Sequence, residues 1–188
     1  MEFSVIRKAV QRCLLSVVLL AALVLVGTGA GLSTAEAALV PAYPQEGTYA
    51  LSPVCADNME LAVKNAGVSD HTRIVIDVSA ERINQDWILR RVPGTPWYYI
   101  ISAHTGKAID NFEGRAREGN MISLWTPENN CQMWRFWESG DGAYFIQANT
   151  SGTFVLDVDN AQNRPGTKVH LWSYNGTIAQ KWLLNLLN

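Results

Sequence analysis

Cysteine is scarce: Cys13, Cys55 and Cys131 are the only three in 188 residues. Cys13 lies in an apolar N-terminal run, so no multi-bridge framework can carry the fold, and one Cys55–Cys131 bridge in an oxidising compartment is the pairing left open. Histidine is equally rare, with His71, His104 and His170 alone. The chain has no HExxH pair, no nucleophile elbow and no paired cysteine ligand set, so the usual signatures of zinc peptidases, α/β-hydrolases and zinc sites are missing. Asp157-Val158-Asp159-Asn160 opens like a calcium loop, but Gln162 stands where that loop needs glycine and Lys168 where it needs glutamate. No metal, cofactor or catalytic residue is expected on these grounds. Charge of one sign is also lacking, with 15 basic and 17 acidic residues. A chain without a basic field has little to hold nucleic acid or an anionic membrane surface. Beyond the N-terminal run there is no long stretch of helical period.

What is present at the start is an address. Arg7, Lys8 and Arg12 precede the apolar run 13–26, CLLSVVLLAALVLV, and Ala35-Glu36-Ala37 places small residues where a signal peptidase reads them. Basic start, apolar middle and small-residue exit predict a secretory signal peptide over 1–37 and a secreted, extracellular protein. The alternative is an uncleaved membrane anchor over 13–32, about the 20 residues a bilayer needs, although Gly27, Gly29 and Gly31 weaken a helix there. After cleavage no membrane insertion is expected. The remaining 151 residues, with 12 basic and 15 acidic side chains, suffice for one domain with a core. Residues 38–44 read as a short linker.

The rest of the chain repeats itself. Asn84–Trp87 (NQDW), Cys131–Trp134 (CQMW) and Ala179–Trp182 (AQKW) place tryptophans 47 and 48 residues apart. Leu61, Ile109 and Leu156 keep the same step, as do Ile76, Leu124 and Leu171. Tyr98–Ile101 answers Tyr144–Gln147, Gly106 answers Gly152, and Gly119 answers Gly166. A period of this length marks a repeat architecture, here over about 45–95, 96–142 and 143–188, with the first copy diverged. Each copy opens on aromatic and β-branched residues (GTYALS, WYYIIS, AYFIQA) and continues in short apolar or alternating pieces divided by loops rich in Gly and Asn. An all-β fold follows.

Three Gln-x-Trp copies in register resemble the ricin B-chain type (R-type) lectins, and the resemblance covers residues 45–188. It implies a β-trefoil, three four-stranded units around a pseudo-threefold axis, with Trp87, Trp134 and Trp182 in the shared core and glutamines such as Gln85 meeting unpaired backbone groups. It also implies carbohydrate binding, with glycans or polysaccharides as partners and galactose- or xylose-type sugars as candidates. In that family the sugar is held by an Asp early in a repeat, an aromatic about 15 residues later, and polar residues near the Gln-x-Trp. Repeat two matches with Asp110 and Trp125, and repeat three with Asp157 and Trp172. Repeat one has Ala62 and Asp77 at those positions and is expected to be inactive.

The departures matter as well. The family often places Asn before the Gln, where this chain has Asn84, Cys131 and Ala179, so the amide is expected from the preceding turn: Asn129 or Asn130 in repeat two, Asn175 in repeat three. Two positions before the aromatic, where many members carry Gln, stand Val75, Ser123 and His170. The implied binding set is Asp157, His170, Trp172, Asn175 and Gln180, with Asp110, Trp125, Asn130 and Gln132 in repeat two. Without the resemblance, Asp110 and Asp157 read equally as turn acids, and Trp125 and Trp172 as core. A trefoil that binds proteins rather than sugar is the alternative function, and an enzyme the more distant one.

Overall fold

A computed structural model describes residues 39–187. The signal expected over 1–37 lies outside the described residues. Thirteen short strands follow one another: β1 (Val40–Ala42), β2 (Gly47–Pro53), β3 (Met59–Val63), β4 (Ile74–Val78), β5 (Trp87–Arg91), β6 (Tyr98–Ser102), β7 (Ala108–Asn111), β8 (Asn120–Trp125), β9 (Met133–Glu138), β10 (Tyr144–Ala148), β11 (Phe154–Val158), β12 (Val169–Ser173) and β13 (Trp182–Leu186).

Strands β2 to β13 fall into three sets of four. The first and last strand of each set close a six-stranded antiparallel barrel, in which β2 pairs with β5 and β13, β6 with β5 and β9, and β10 with β9 and β13. The middle strands form three hairpins, β3–β4, β7–β8 and β11–β12, and these touch one another through β8–β12 and through bridges at Arg73–Ser123 and Val75–Lys168. A closed barrel capped by three hairpins is a β-trefoil. Closure leaves the barrel strands no free edge.

The core sits where barrel and hairpins meet. Trp87, Trp134 and Trp182 are each 0% exposed, and their indole N–H groups donate to the carbonyls of Leu61 (2.9 Å), Ile109 (3.0 Å) and Leu156 (3.2 Å). Each Trp thus ties the last strand of its set to the second, burying a large ring and satisfying its one donor at once. Leu51, Ile100 and Ile146, one from each set, join the same cluster.

A second threefold contact links neighbouring sets. The backbone N–H groups of His71, Gly119 and Gly166 donate to the carbonyls of Leu124 (2.9 Å), Leu171 (2.8 Å) and Ile76 (2.8 Å). All three donors have left-handed backbone, with φ of 63°, 72° and 78°. The stretch 38–44, expected to be a linker, instead contributes β1: Val40–Ala42 pairs with Phe136–Glu138 of β9, and Ala42 is buried. Pro41 is tolerated there because it lies on an edge strand. Cys55 and Cys131 are both free thiols. Burial pushes the Cys55 thiol up to about 11.

Candidate functional site

Period-two alternation makes the β11–β12 hairpin two-faced. Leu156 faces Leu171 in the core, while Asp157 stands directly across from His170, with Trp172 two residues further along the same strand face. His170 Nε2 lies 3.0 Å from Asp157 Oδ1, and both residues are buried. The His170 ring stacks on the Trp172 indole, with centroids 5.2 Å apart and planes 27° from parallel. His170 Nδ1 is buried without a hydrogen-bond partner, 3.9 Å from Asp159 Oδ1. Asp159 is itself 3.6 Å from Lys168. These groups line a cleft of about 290 Å³ that Asn175 and Thr177 complete.

The loop carrying Asn175 is held from beneath. Gln180 Oε1 accepts from the backbone N–H of Asn175 (2.8 Å) and Gly176 (3.2 Å), and its Nε2 donates to the Ser173 carbonyl (2.9 Å). Asn175 Oδ1 accepts from the Thr177 backbone N–H and hydroxyl. The Asn175 amide N–H groups therefore remain for a ligand.

On the β7–β8 hairpin the same logic gives a different site. Asp110 stands across from Ser123, and Ala108 across from Trp125. Serine is too short to reach the carboxylate, and Ser123 Oγ has no partner. Asp110 is instead held by Gln132, whose Nε2 donates to Oδ1. Trp125 Nε1 donates to Glu128 Oε1 (2.8 Å), which fixes the indole plane. Around them a cleft of about 220 Å³ is lined also by His71, Phe112, Glu113, Asn129 and Cys131. Burial pushes the Asp110 carboxyl above the usual carboxylate range, while Gln132 and His71 pull it back down.

Several expected residues move to other roles. Gln132 and Gln180, expected to touch sugar, are buried and bonded within the protein: Gln132 Oε1 accepts from the N–H of Glu128 and Asn129 while its Nε2 orients Asp110, and of the two only Gln132 lines its cleft. Gln85 does the same in repeat one, accepting from Ala80 N–H and donating to the Val78 carbonyl. Of the two amides considered in repeat two, Asn129 lines the cleft and Asn130 does not; Asn129 also accepts from Cys131 N–H as a helix cap. In repeat one Ala62 faces Val75, both buried, so the position equivalent to Asp110 and Asp157 carries no carboxylate, and the hairpin's own acids, Glu60 and Asp77, stand across from each other two residues further along. His71, which the resemblance does not point to, reaches the repeat-two cleft from the preceding repeat. Its signal was available: position 71 keeps the spacing of Gly119 and Gly166.

A family model described as a ricin-type beta-trefoil lectin domain-like matches residues 130–187. The structure is similar to the designed three-fold symmetric protein ThreeFoil, with 31% identity over 75% of this chain and 99% of that one, at a TM-score of 0.71. It is similar to 1,3Gal43A, an exo-beta-1,3-galactanase from Clostridium thermocellum, with 24% identity over 77% of this chain but 31% of the enzyme, at a TM-score of 0.69. It is also similar to the Macrolepiota procera ricin B-like lectin in complex with lactose, with 20% identity over 78% of this chain and 100% of that one, at a TM-score of 0.64. No curated protein matches the sequence.

Proposed function

We propose that this chain, which belongs to the ricin-type β-trefoil lectin-like domains, is a glycan-binding protein that works through two clefts, one around Asp157 and one around Asp110. The observation that carries the reading is the outward face of β11–β12, where a carboxylate, an imidazole stacked on an indole and a free amide converge on one cleft. A pyranose offers adjacent hydroxyls along its edge and a face of C–H groups. Asp157 accepts from the hydroxyls through the oxygen that His170 leaves free, Asn175 completes the hydrogen bonds, and Trp172 covers the apolar face. The Asp110 cleft repeats the carboxylate and the indole with different neighbours. The groups hold a sugar in place, and binding rather than turnover is the function assigned. With export expected from residues 1–37, extracellular glycans are the ligands within reach. Among the described residues no helix is long and apolar enough to cross a membrane.

The test is a glycan array followed by calorimetric titration of the purified chain with methyl galactoside and methyl xyloside. Saturable binding of at least one glycan is expected, with up to two sugars per chain. If no glycan binds, the trefoil is a protein-binding module instead.

Acidification separates the two clefts. Because the folded-state value of Asp110 is raised, the folded chain takes up that proton before the unfolded chain does as pH falls. The group therefore costs the fold nothing below the ordinary carboxylate value of about 3.9 and costs it increasingly as pH rises through the raised value. Sugar binding runs the opposite way, because hydroxyls need the charged form. The charged or titratable groups sharing the cleft are His71, Glu113, Glu128 and Cys131, and Glu113 is paired with Arg115. In an Asp157→Asn background, which removes the carboxylate assigned to the sugar in the repeat-three cleft, affinity should fall on acidification while the pH is still above about 4. A titration series from neutral pH downward checks it; affinity that stays flat to about pH 4 refutes the assignment of Asp110.

A further inference from the structure

The turn that hands each repeat to the next requires left-handed backbone at residues 71, 119 and 166. Glycine meets that requirement at 119 and 166, where an added Cβ would touch nothing within 4 Å. Repeat one carries His71 at φ 63°, a conformation uncommon for residues with a Cβ, though histidine is among those that enter it more often, and one that glycine adopts freely. The backbone alone does not select histidine over glycine. The side chain does: its ring lies 4.7 Å from the Trp125 indole at 47° and 5.3 Å from the Phe112 ring at 71°, exposed on the lining of the repeat-two cleft. Neither ring nitrogen has a hydrogen-bond partner among the described residues, so both remain for a ligand. The same turn brings Gly119 to β12 of repeat three, where no side chain fills the corresponding place. The cleft there is the larger, about 290 Å³ against about 220 Å³.

We propose that His71 is a specificity-determining residue of the repeat-two cleft, lent to it by repeat one. It walls the side that repeat three leaves open, admits a pyranose lacking an exocyclic hydroxymethyl group more readily than one bearing it, and offers a ring nitrogen to a sugar hydroxyl. The two clefts of one chain then differ in preference: the repeat-two cleft takes the compact pentopyranose, and the repeat-three cleft has room for a hexopyranose. The inference rests on the sugar-binding reading above.

The experiment uses methyl xyloside and methyl galactoside, which differ in the hydroxymethyl group at C5, titrated calorimetrically into the full chain. In the Asp157→Asn background the xyloside should bind at least about tenfold more tightly than the galactoside, the scale on which a small steric group is discriminated in a pocket. Adding His71→Gly should reduce that preference to about threefold or less, with a thermal midpoint equal to or above that of the background, because glycine relaxes the turn. The reciprocal variant, Gly119→His with Asp110→Asn, should move the repeat-three cleft towards the xyloside. A preference unchanged by His71→Gly overturns the proposal, and so does a lowered midpoint, which would make His71 a packing residue. If wild type binds sugar and Asp157→Asn binds none, the repeat-two cleft is not a sugar site and the proposal falls while the Asp157 assignment stands. If wild type binds neither probe nor any arrayed glycan, the sugar-binding reading fails with it.

Discussion

Replacing Trp87 by alanine is expected to destabilise the fold by about 3–5 kcal/mol, the range for truncating a buried aromatic. The side chain is 0% exposed, so its whole surface returns to a cavity rather than to solvent. The indole N–H also satisfies the Leu61 carbonyl at 2.9 Å. Truncation leaves that buried acceptor unpaired, which on its own costs about 1–3 kcal/mol. For a domain of this size each kcal/mol lowers the thermal midpoint by about 2–4 °C. Sugar binding should survive in whatever remains folded, because repeat one presents Ala62 where the carboxylate would stand and Val75 across from it. Trp134→Ala and Trp182→Ala should lower the midpoint comparably, since each indole makes the equivalent bond to Ile109 or Leu156. An unchanged midpoint for Trp87→Ala would show that the three tryptophans do not share one core, and the threefold energetics would fail with it.

The period was legible because it is a property of spacing, and spacing survives in one dimension. Leu61, Ile109 and Leu156 keep step with the tryptophans, as do Ile76, Leu124 and Leu171, because all six side chains are buried in the shared core, while their backbone carbonyls receive the indoles and the turn N–H groups. Direction was not legible. Gln132 and Gln180 sit near the sugar-binding positions in sequence, but the short 3₁₀ turn before each tryptophan buries them, and each side-chain oxygen accepts from two backbone N–H groups, while the amide N–H goes to the Asp110 carboxylate in one and to the Ser173 carbonyl in the other. The difference between Asn129 and Asn130 is likewise one residue of turn geometry. His71 was hidden because a histidine in a glycine register reads as divergence, and only the cross-repeat contact with Trp125 gives it a place. β1 escaped notice because three residues containing a proline carry neither alternation nor strand propensity. What determines it is the pairing partner on β9, about a hundred residues away.

Removing the Asp157 carboxylate should abolish measurable binding at the repeat-three cleft. A charged acceptor facing sugar hydroxyls contributes about 1.5–3 kcal/mol, which is about one to two decades of affinity. A single shallow site starting near millimolar would then fall below detection. The choice of substitution matters because Asp157 also holds His170 at 3.0 Å. Asp157→Ala strips that partner from a buried imidazole whose other nitrogen already has none, so it should cost about 1–3 kcal/mol of stability as well as binding. Asp157→Asn keeps an oxygen for His170 Nε2 and the volume of the side chain while removing the charge. Its thermal midpoint should stay close to that of wild type while its affinity drops. Asp110→Asn should leave the monovalent affinity of the repeat-three cleft intact and weaken attachment to a dense glycan surface, because two sites on one rigid body gain avidity that one cannot. Calorimetric titration beside a melting curve separates the two effects of residue 157. Equal sugar affinity in wild type and Asp157→Asn would remove the carboxylate from the site, and a midpoint that falls as far for Asn as for Ala would make Asp157 a structural partner of His170 before anything else.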